Sequence, residues 1–284
     1  MKLKVVRRDA SGVSGVIEAL LLVGLVAIVI STIQLVYIPQ IMSQREADHM
    51  DEVSNQFSYM KAMIDIQTQT KSNAPISSIV TLGSRELPYF ISVGASGELS
   101  IQTSNLGNIV VGAGSPLMYL TTIKYEAFNS YFVDQTYIFE GGGIIVAQPD
   151  GTSVMRVDPS IQAFDTGSRI NLYFNLTNIV GIPGKNSTIG NGKCLIRTNF
   201  YSHVQNPKVT YTGEPSPQDI FIYTKYPHAW NESLNRTIGM YVDVNMHASE
   251  ASPYVEIMPN PGKPIHLEIR ETFIEAQVGP GWVL

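Results

Sequence analysis

Few side chains in this sequence stand at spacings that could do chemistry. Gly94-Ala95-Ser96-Gly97 sets a serine between glycines. The glycine spacing is wrong for the strained elbow that exposes a nucleophilic serine. Gly181-Ile182-Pro183-Gly184-Lys185-Asn186 carries a Gly-Lys pair, but Asn186 stands where a phosphate-cradling loop needs Ser or Thr. It reads as a surface loop. Cys194 and His203 are residue types of a nucleophile and its base. Cys194, however, opens an apolar strand, the setting of a buried, inert thiol. His49 and Glu52 lie one helical turn apart and could share a metal, though a solvated helix face explains them as well. His228, His247 and His266 show no ligand spacing. No catalytic, cofactor or metal residue emerges, and the expectation is a protein that is not an enzyme. Four N-x-[ST] sequons at Asn175, Asn186, Asn231 and Asn235 are glycosylation candidates if the segment is exported. Unused sequons in loops are the alternative.

The elements around these residues begin with one apolar segment. Val16 to Ile38 contains a single charge, Glu18. As a helix this stretch is about 35 Å long, enough for a hydrocarbon core of about 30 Å. Lys2, Lys4, Arg7 and Arg8 precede it, a flank that stays cytoplasmic and places the chain beyond Pro39 outside. The 284 residues carry a formal charge of −5, which argues against nucleic acid as a partner, and one cysteine, which excludes an internal disulfide framework. Gly15 with Ala19, and Ala27 with Ser31, form two small-xxx-small pairs read as lying on nearly one face, where helices approach closely in lipid. Such residues are also simply common in membrane helices. Glu18 is costly there unless paired or near the interface, where the helix dipole favours it.

The run Arg7-Arg8-Asp9-Ala10-Ser11-Gly12-Val13-Ser14-Gly15-Val16-Ile17-Glu18, followed by Ala19-Leu20-Leu21-Leu22-Val23-Gly24-Leu25-Val26, resembles the class III signal of archaeal type IV pilin-like proteins. The resemblance implies that a prepilin-peptidase-like enzyme removes residues 1–12 by cutting between Gly12 and Val13, and that other pilin-like subunits are partners. It also implies that Glu18 meets the N-terminal amine of a neighbouring subunit. Gly15 stands where the family commonly has proline, and Glu18 falls one position beyond the bacterial pilin glutamate. The stretch from Phe57 to Ser100 looks like a set of large archaeal pilin-like proteins with β-rich heads.

Beyond Pro39 the apolar positions Met50, Val53, Phe57, Met60 and Ile64 step by three and four and lead to Gln67. Glu46, Asp48, Asp51, Glu52 and Lys61 read as the opposite, solvated face. The spacing predicts one helix over 13–70, kinked near Pro39. Its seam docks on the head or packs between subunits. From 71 to 284 short β-branched and aromatic runs alternate with turn residues. Strands are expected at 78–82, 89–93, 98–103, 117–125, 136–140, 143–148, 153–157, 169–176, 193–200, 208–212, 239–246 and 264–273, with a short helix near 228–234. The class is α+β: a long N-terminal membrane and stalk helix, then a mainly antiparallel sandwich or barrel-like head. The functional expectation is a structural or adhesive cell-surface subunit of a type IV pilus-like filament. A membrane-anchored extracellular binding protein that never polymerises is the rival. The head's ligand is not legible.

Overall fold

A computed structural model describes residues 10–84, 94–104, 107–112, 114, 116–213, 219–259 and 263–279. The basic residues of the leader and the strand expected at 89–93 lie outside the described residues. Helix α1 (Ala10–Thr32) passes through a π-helical stretch (Ile33–Tyr37) into α2 (Ile38–Thr70). The interruption falls where Pro39 demands one. Pro39 has no N–H for the Leu35 carbonyl, and its ring crowds that carbonyl. The backbone widens in response: the Ile38 N–H reaches five residues back to the Ile33 carbonyl, the closure of a π-turn. α2 ends at Lys71, which takes the left-handed conformation of a helix stop at φ 52°.

The chain then forms β1 (Ile76–Thr81), β2 (Ser96–Gln102), β3 (Gly107–Val111), β4 (Met118–Tyr119), β5 (Thr122–Phe128), β6 (Thr136–Glu140), β7 (Gly143–Ala147), β8 (Ser153–Val157), β9 (Ser160–Asp165) and β10 (Ile170–Gly181). There follow β11 (Ser187–Gly190), β12 (Lys193–Phe200), β13 (Lys208–Gly213), β14 (Ile220–Thr224), α3 (Pro227–Ile238), β15 (Val242–His247), β16 (Tyr254–Pro259) and β17 (Ile265–Val278). The expected meander over 136–157 is β6, β7 and β8. The expected strand over 117–125 divides into β4 and β5, and residues 239–241 belong to the end of α3 and its turn rather than to β15. β3, β9, β11, β14 and β16 are strands beyond those that the sequence predicts.

Three sheets result. The first runs β1-β12-β17-β10-β9 with β13 also on β17, the second β11-β2-β5-β6-β7-β8, and the third β15-β16-β14-β3-β4. Pairing is antiparallel except between β10 and β17, which run parallel from Ile170↔Ile265 to Gly181↔Ala276. Among the described residues this is the longest ladder.

Two apolar cores lie on either side of the second sheet. Tyr137 and Phe139 of β6 face the core that holds Met50, Val53, Phe57, Met60 and Ile64 of α2. Ile138, between them, faces the other core, with Ile222 of β14, Val255 of β16 and Trp230 of α3. A strand buried on both faces reads as a continuous apolar run, which Tyr137-Ile138-Phe139 is. β10 and β17 span both cores: Leu172 and Leu267 belong to one, Ile179 and Ile274 to the other. Asn178 fastens β10 where the cores meet. It donates to the Tyr119 carbonyl (2.7 Å) and to Glu271 (2.6 Å), and accepts from Thr121 N–H and Oγ1, both at 3.2 Å.

Candidate membrane and assembly surface

None of the residues from Gly15 to Tyr37 is buried. Fourteen large apolar side chains between Val16 and Tyr37 are exposed, Leu25 by 62%. Full burial of a Leu or Ile stabilises by about 1.5–3 kcal/mol, and monomeric soluble proteins rarely expose contiguous apolar patches beyond a few hundred Å². This helix is long and apolar enough to cross a membrane.

The small residues of this surface are placed by helix geometry. The Gly15–Ala19 and Ala27–Ser31 pairs do not share one straight face. At about 100° per residue their centres sit about 120° apart around the axis. They lie instead on one i±4 ridge that winds round the helix through Val23, the kind of ridge that packs into the groove of a second helix. A Cβ added at Gly15 or Gly24 would meet no atom within 4 Å, so nothing in this chain requires glycine there. Glu18 lies one residue before Ala19 on the exposed helix. The helix begins at Ala10, three residues before the expected start, so the Gly12–Val13 bond lies within its first turns.

Below Tyr37 the helix becomes part of the head. Met42, Phe57, Met60 and Ile64 are fully buried. Phe57 meets Tyr137 at 5.8 Å and Tyr125 at 6.5 Å between ring centres. Two polar residues depart from the sequence reading. Glu46, expected on the solvated face, is wholly buried. Its carboxylate accepts the backbone N–H groups of Ser130 (3.1 Å), Tyr131 (2.7 Å) and Phe132 (2.7 Å), which converge on it from the loop after β5. Three such donors supply what a buried carboxylate loses in water. His49 is likewise buried rather than solvated. Its Nε2–H donates to the Thr81 carbonyl at 2.9 Å and its ring stands edge-on to Tyr125. Burial holds its imidazole below the ordinary range, against that hydrogen bond and the charges of Glu52 and Glu46. Glu52 instead accepts from the Thr81 hydroxyl. Gln67 closes the far end of the seam, donating to the Ala74 and Thr198 carbonyls.

Among the described residues no group of three or more His, Cys, Asp or Glu could hold a metal ion. Cys194 is buried, and burial pushes its thiol up. Residues 182–186 form the turn between β10 and β11. The sequons divide by element. Asn175 is an exposed residue of β10, and Asn186 immediately precedes β11. Asn231 and Asn235 both sit in α3 rather than in a loop, and the Asn235 amide donates to the Asn231 carbonyl.

Glu140 is a site that sequence reasoning missed. Wholly buried at the end of β6, it accepts from Trp230 Nε1 (2.7 Å) and Thr224 Oγ1 (2.8 Å) through one oxygen. Its other oxygen has no protein partner. Burial pushes its acid up from 4.5 to about 6, while the two hydrogen bonds and Lys225 pull the other way. A carboxylate directly before Gly141-Gly142-Gly143 was its only local signal. No protein-family model, curated protein sequence or solved structure matches the chain.

Proposed function

We propose that the chain is an exported, single-pass membrane protein of the pilin-like type, a structural or adhesive subunit of a type IV pilus-like surface filament. The observation that carries this reading is the division of one helix. Its first part is bare and apolar all round, and its second part lies in the core of the head. A continuous helix that is both anchor and core element couples whatever holds α1 to the position of the head. Gly15 and Gly24 add support. Each costs a helix about 0.5–1 kcal/mol relative to alanine, with no neighbour in this chain to justify it, as a close contact with other subunits would. In this reading the three-sheet head is a sandwich-like domain held outside the membrane. A prepilin-peptidase-like enzyme is the processing partner. Glycans on Asn175, Asn186, Asn231 or Asn235 belong to the same reading. Ser233 donates to Asp158 and Thr237 to the Ser233 carbonyl, so glycans on α3 would be added before it folds.

Processing tests the reading. The mature chain should begin at Val13, as mass spectrometry of its N-terminal peptide would show. Gly12→Val should leave the precursor uncut, because the peptidase must draw out a narrow backbone there and glycine makes unwinding of the first turn easy. A mature chain beginning after Pro39, or intact from Met1, would overturn it.

A further inference from the structure

We propose that the outer face of the third sheet binds a neutral glycan chain. One face of this sheet packs Ile109, Ile220, Ile222, Val255 and Ile257 into the core around Trp230. The other carries a single register row across all five strands. His247 pairs with Tyr254, Tyr254 with Tyr223, Tyr223 with Asn108, and Asn108 with Tyr119. The row is half-exposed in the middle, and Tyr119 at its end is 61% exposed. His247 stacks on Tyr254 at 4.4 Å and 16°, and Tyr223 follows at 5.3 Å. Between Asn108, Tyr119 and Tyr223 the row opens into a cleft of about 650 Å³ that continues past Thr224 and Lys225 to Pro253. The floor depends on Gly107, whose added Cβ would sit 2.2 Å from the Tyr223 carbonyl oxygen.

The chemistry of the row selects the ligand. A pyranose presents C–H groups on its faces and hydroxyls at its edge. The faces suit the rings of Tyr119 and Tyr223, which flank Asn108 at the cleft and give large contact area at low entropic cost. The edge suits an amide: Asn108 lines the cleft, and its buried Oδ1 has no protein partner. Tyr119 and Tyr223 stand two strand spacings apart, about 10 Å, room for about two sugar units between them. The cleft volume lies in the usual range for small-ligand sites, about 300–1,000 Å³. Other classes fit less well. Glu256, bonded to His247 at 3.1 Å, sets a carboxylate beside the row, which disfavours a nucleic-acid backbone. Among the described residues only Tyr119 and Tyr223 bring aromatic rings to the cleft, too few to cage a quaternary ammonium group. None of the core residues around α2 comes from this sheet, so the face lies apart from the core that holds the helix. The inference rests on the display of the head outside the membrane proposed above.

The test is titration of the purified full-length chain, in a detergent without sugar headgroups, with cellohexaose, mannohexaose and chitohexaose in turn. Heat of binding is the readout. At least one hexasaccharide should saturate at millimolar concentration or below, with little dependence on salt. Tyr119→Ala and Tyr223→Ala should each weaken it at least tenfold, and Tyr223→Phe, which keeps the ring, less than threefold. Because Tyr119 is exposed, its variant keeps the test valid if Tyr223→Ala does not fold. Absence of binding by all three sugars, or binding that survives both alanine variants, would overturn the inference. The titration needs neither processing nor assembly. A chain that binds sugar yet never enters a filament leaves this inference standing, and a filament subunit that binds none fails it alone.

Discussion

From Gly15 to Tyr37 the N-terminal helix turns apolar side chains in every direction and buries none, whereas from Ile38 to Thr70 it buries one seam completely and leaves the rest to solvent. Backbone and handedness are the same, and only a π-helical stretch separates the two parts. The difference lies in how apolar residues are distributed. All-round apolarity suits a solvent that is itself apolar, and a 3.6-residue stripe suits a protein core. The buried seam also carries Glu46, His49 and Gln67, each hydrogen-bonded to backbone groups of the head. An apolar stripe alone can slide or rotate on its partner. Polar residues that must find particular N–H and carbonyl groups fix its register. The first part packs on no other element of the head, and in the proposed filament its small-residue ridge meets other subunits.

The largest effect should come from the seam. Phe57→Ala should destabilise the head by about 3–5 kcal/mol in chemical unfolding of the full chain in detergent, followed by Trp230 fluorescence. Leu25→Ala on the bare part should change the same transition by less than about 0.5 kcal/mol. Equal effects would erase the distinction between the two parts. Glu46→Gln comes next, at about 1.5–3 kcal/mol, because an amide puts its own donors against the N–H groups of residues 130–132. A loss near zero would mean that the seam is positioned by apolar contacts alone.

A smaller effect probes the second core, which has no part in holding α2. The folded chain holds the Glu140 proton up to a pH of about 6, against 4.5 for the ordinary side chain. Between these values the folded state binds more protons than the unfolded one, so stability should fall as pH rises through that window. The loss is up to about 2 kcal/mol, and the contribution is fully present below the lower value. Glu140→Gln should remove this slope, and the difference between variant and wild-type pH profiles isolates it. Coincident profiles would contradict the assignment.

The helix, its interruption at Pro39 and its apolar seam were legible because each is a local pattern. The meander over 136–157 was legible from its glycine and Pro-Asp-Gly turns. Glu46 was not. It occupies a seam position between Met42 and Met50, but a carboxylate reads as solvated unless its partners are known, and these lie more than eighty residues away. His49 was misplaced for the same reason, since its acceptor is the Thr81 carbonyl. The parallel pairing of β10 with β17 joins Ile170 to Ile265, and neither strand carries a local mark of it. β14 alternates Ile220, Phe221, Ile222 and Tyr223 in a way that does announce a strand, yet its aromatic row exists only through pairing with β3 and β16. Glu140 became a site only when α3 brought Trp230 to it. The small residues proposed for assembly stand in the sequence, while the winding of their ridge follows from helix geometry.

The central claim is that the bare part of the helix packs in a filament, with Ala19 and Ala27 at close contacts. Ala19→Leu and Ala27→Leu preserve apolarity, while overpacking a tight contact costs about 1–3 kcal/mol per site. The measurement is the fraction of the protein in sheared surface filaments against the fraction left in membranes. The account predicts wild-type protein in the filaments, and both leucine variants inserted normally but confined to the membrane. Wild-type protein wholly in the membrane as a monomer, with the variants indistinguishable from it, would contradict the account and make the chain an anchored binding protein.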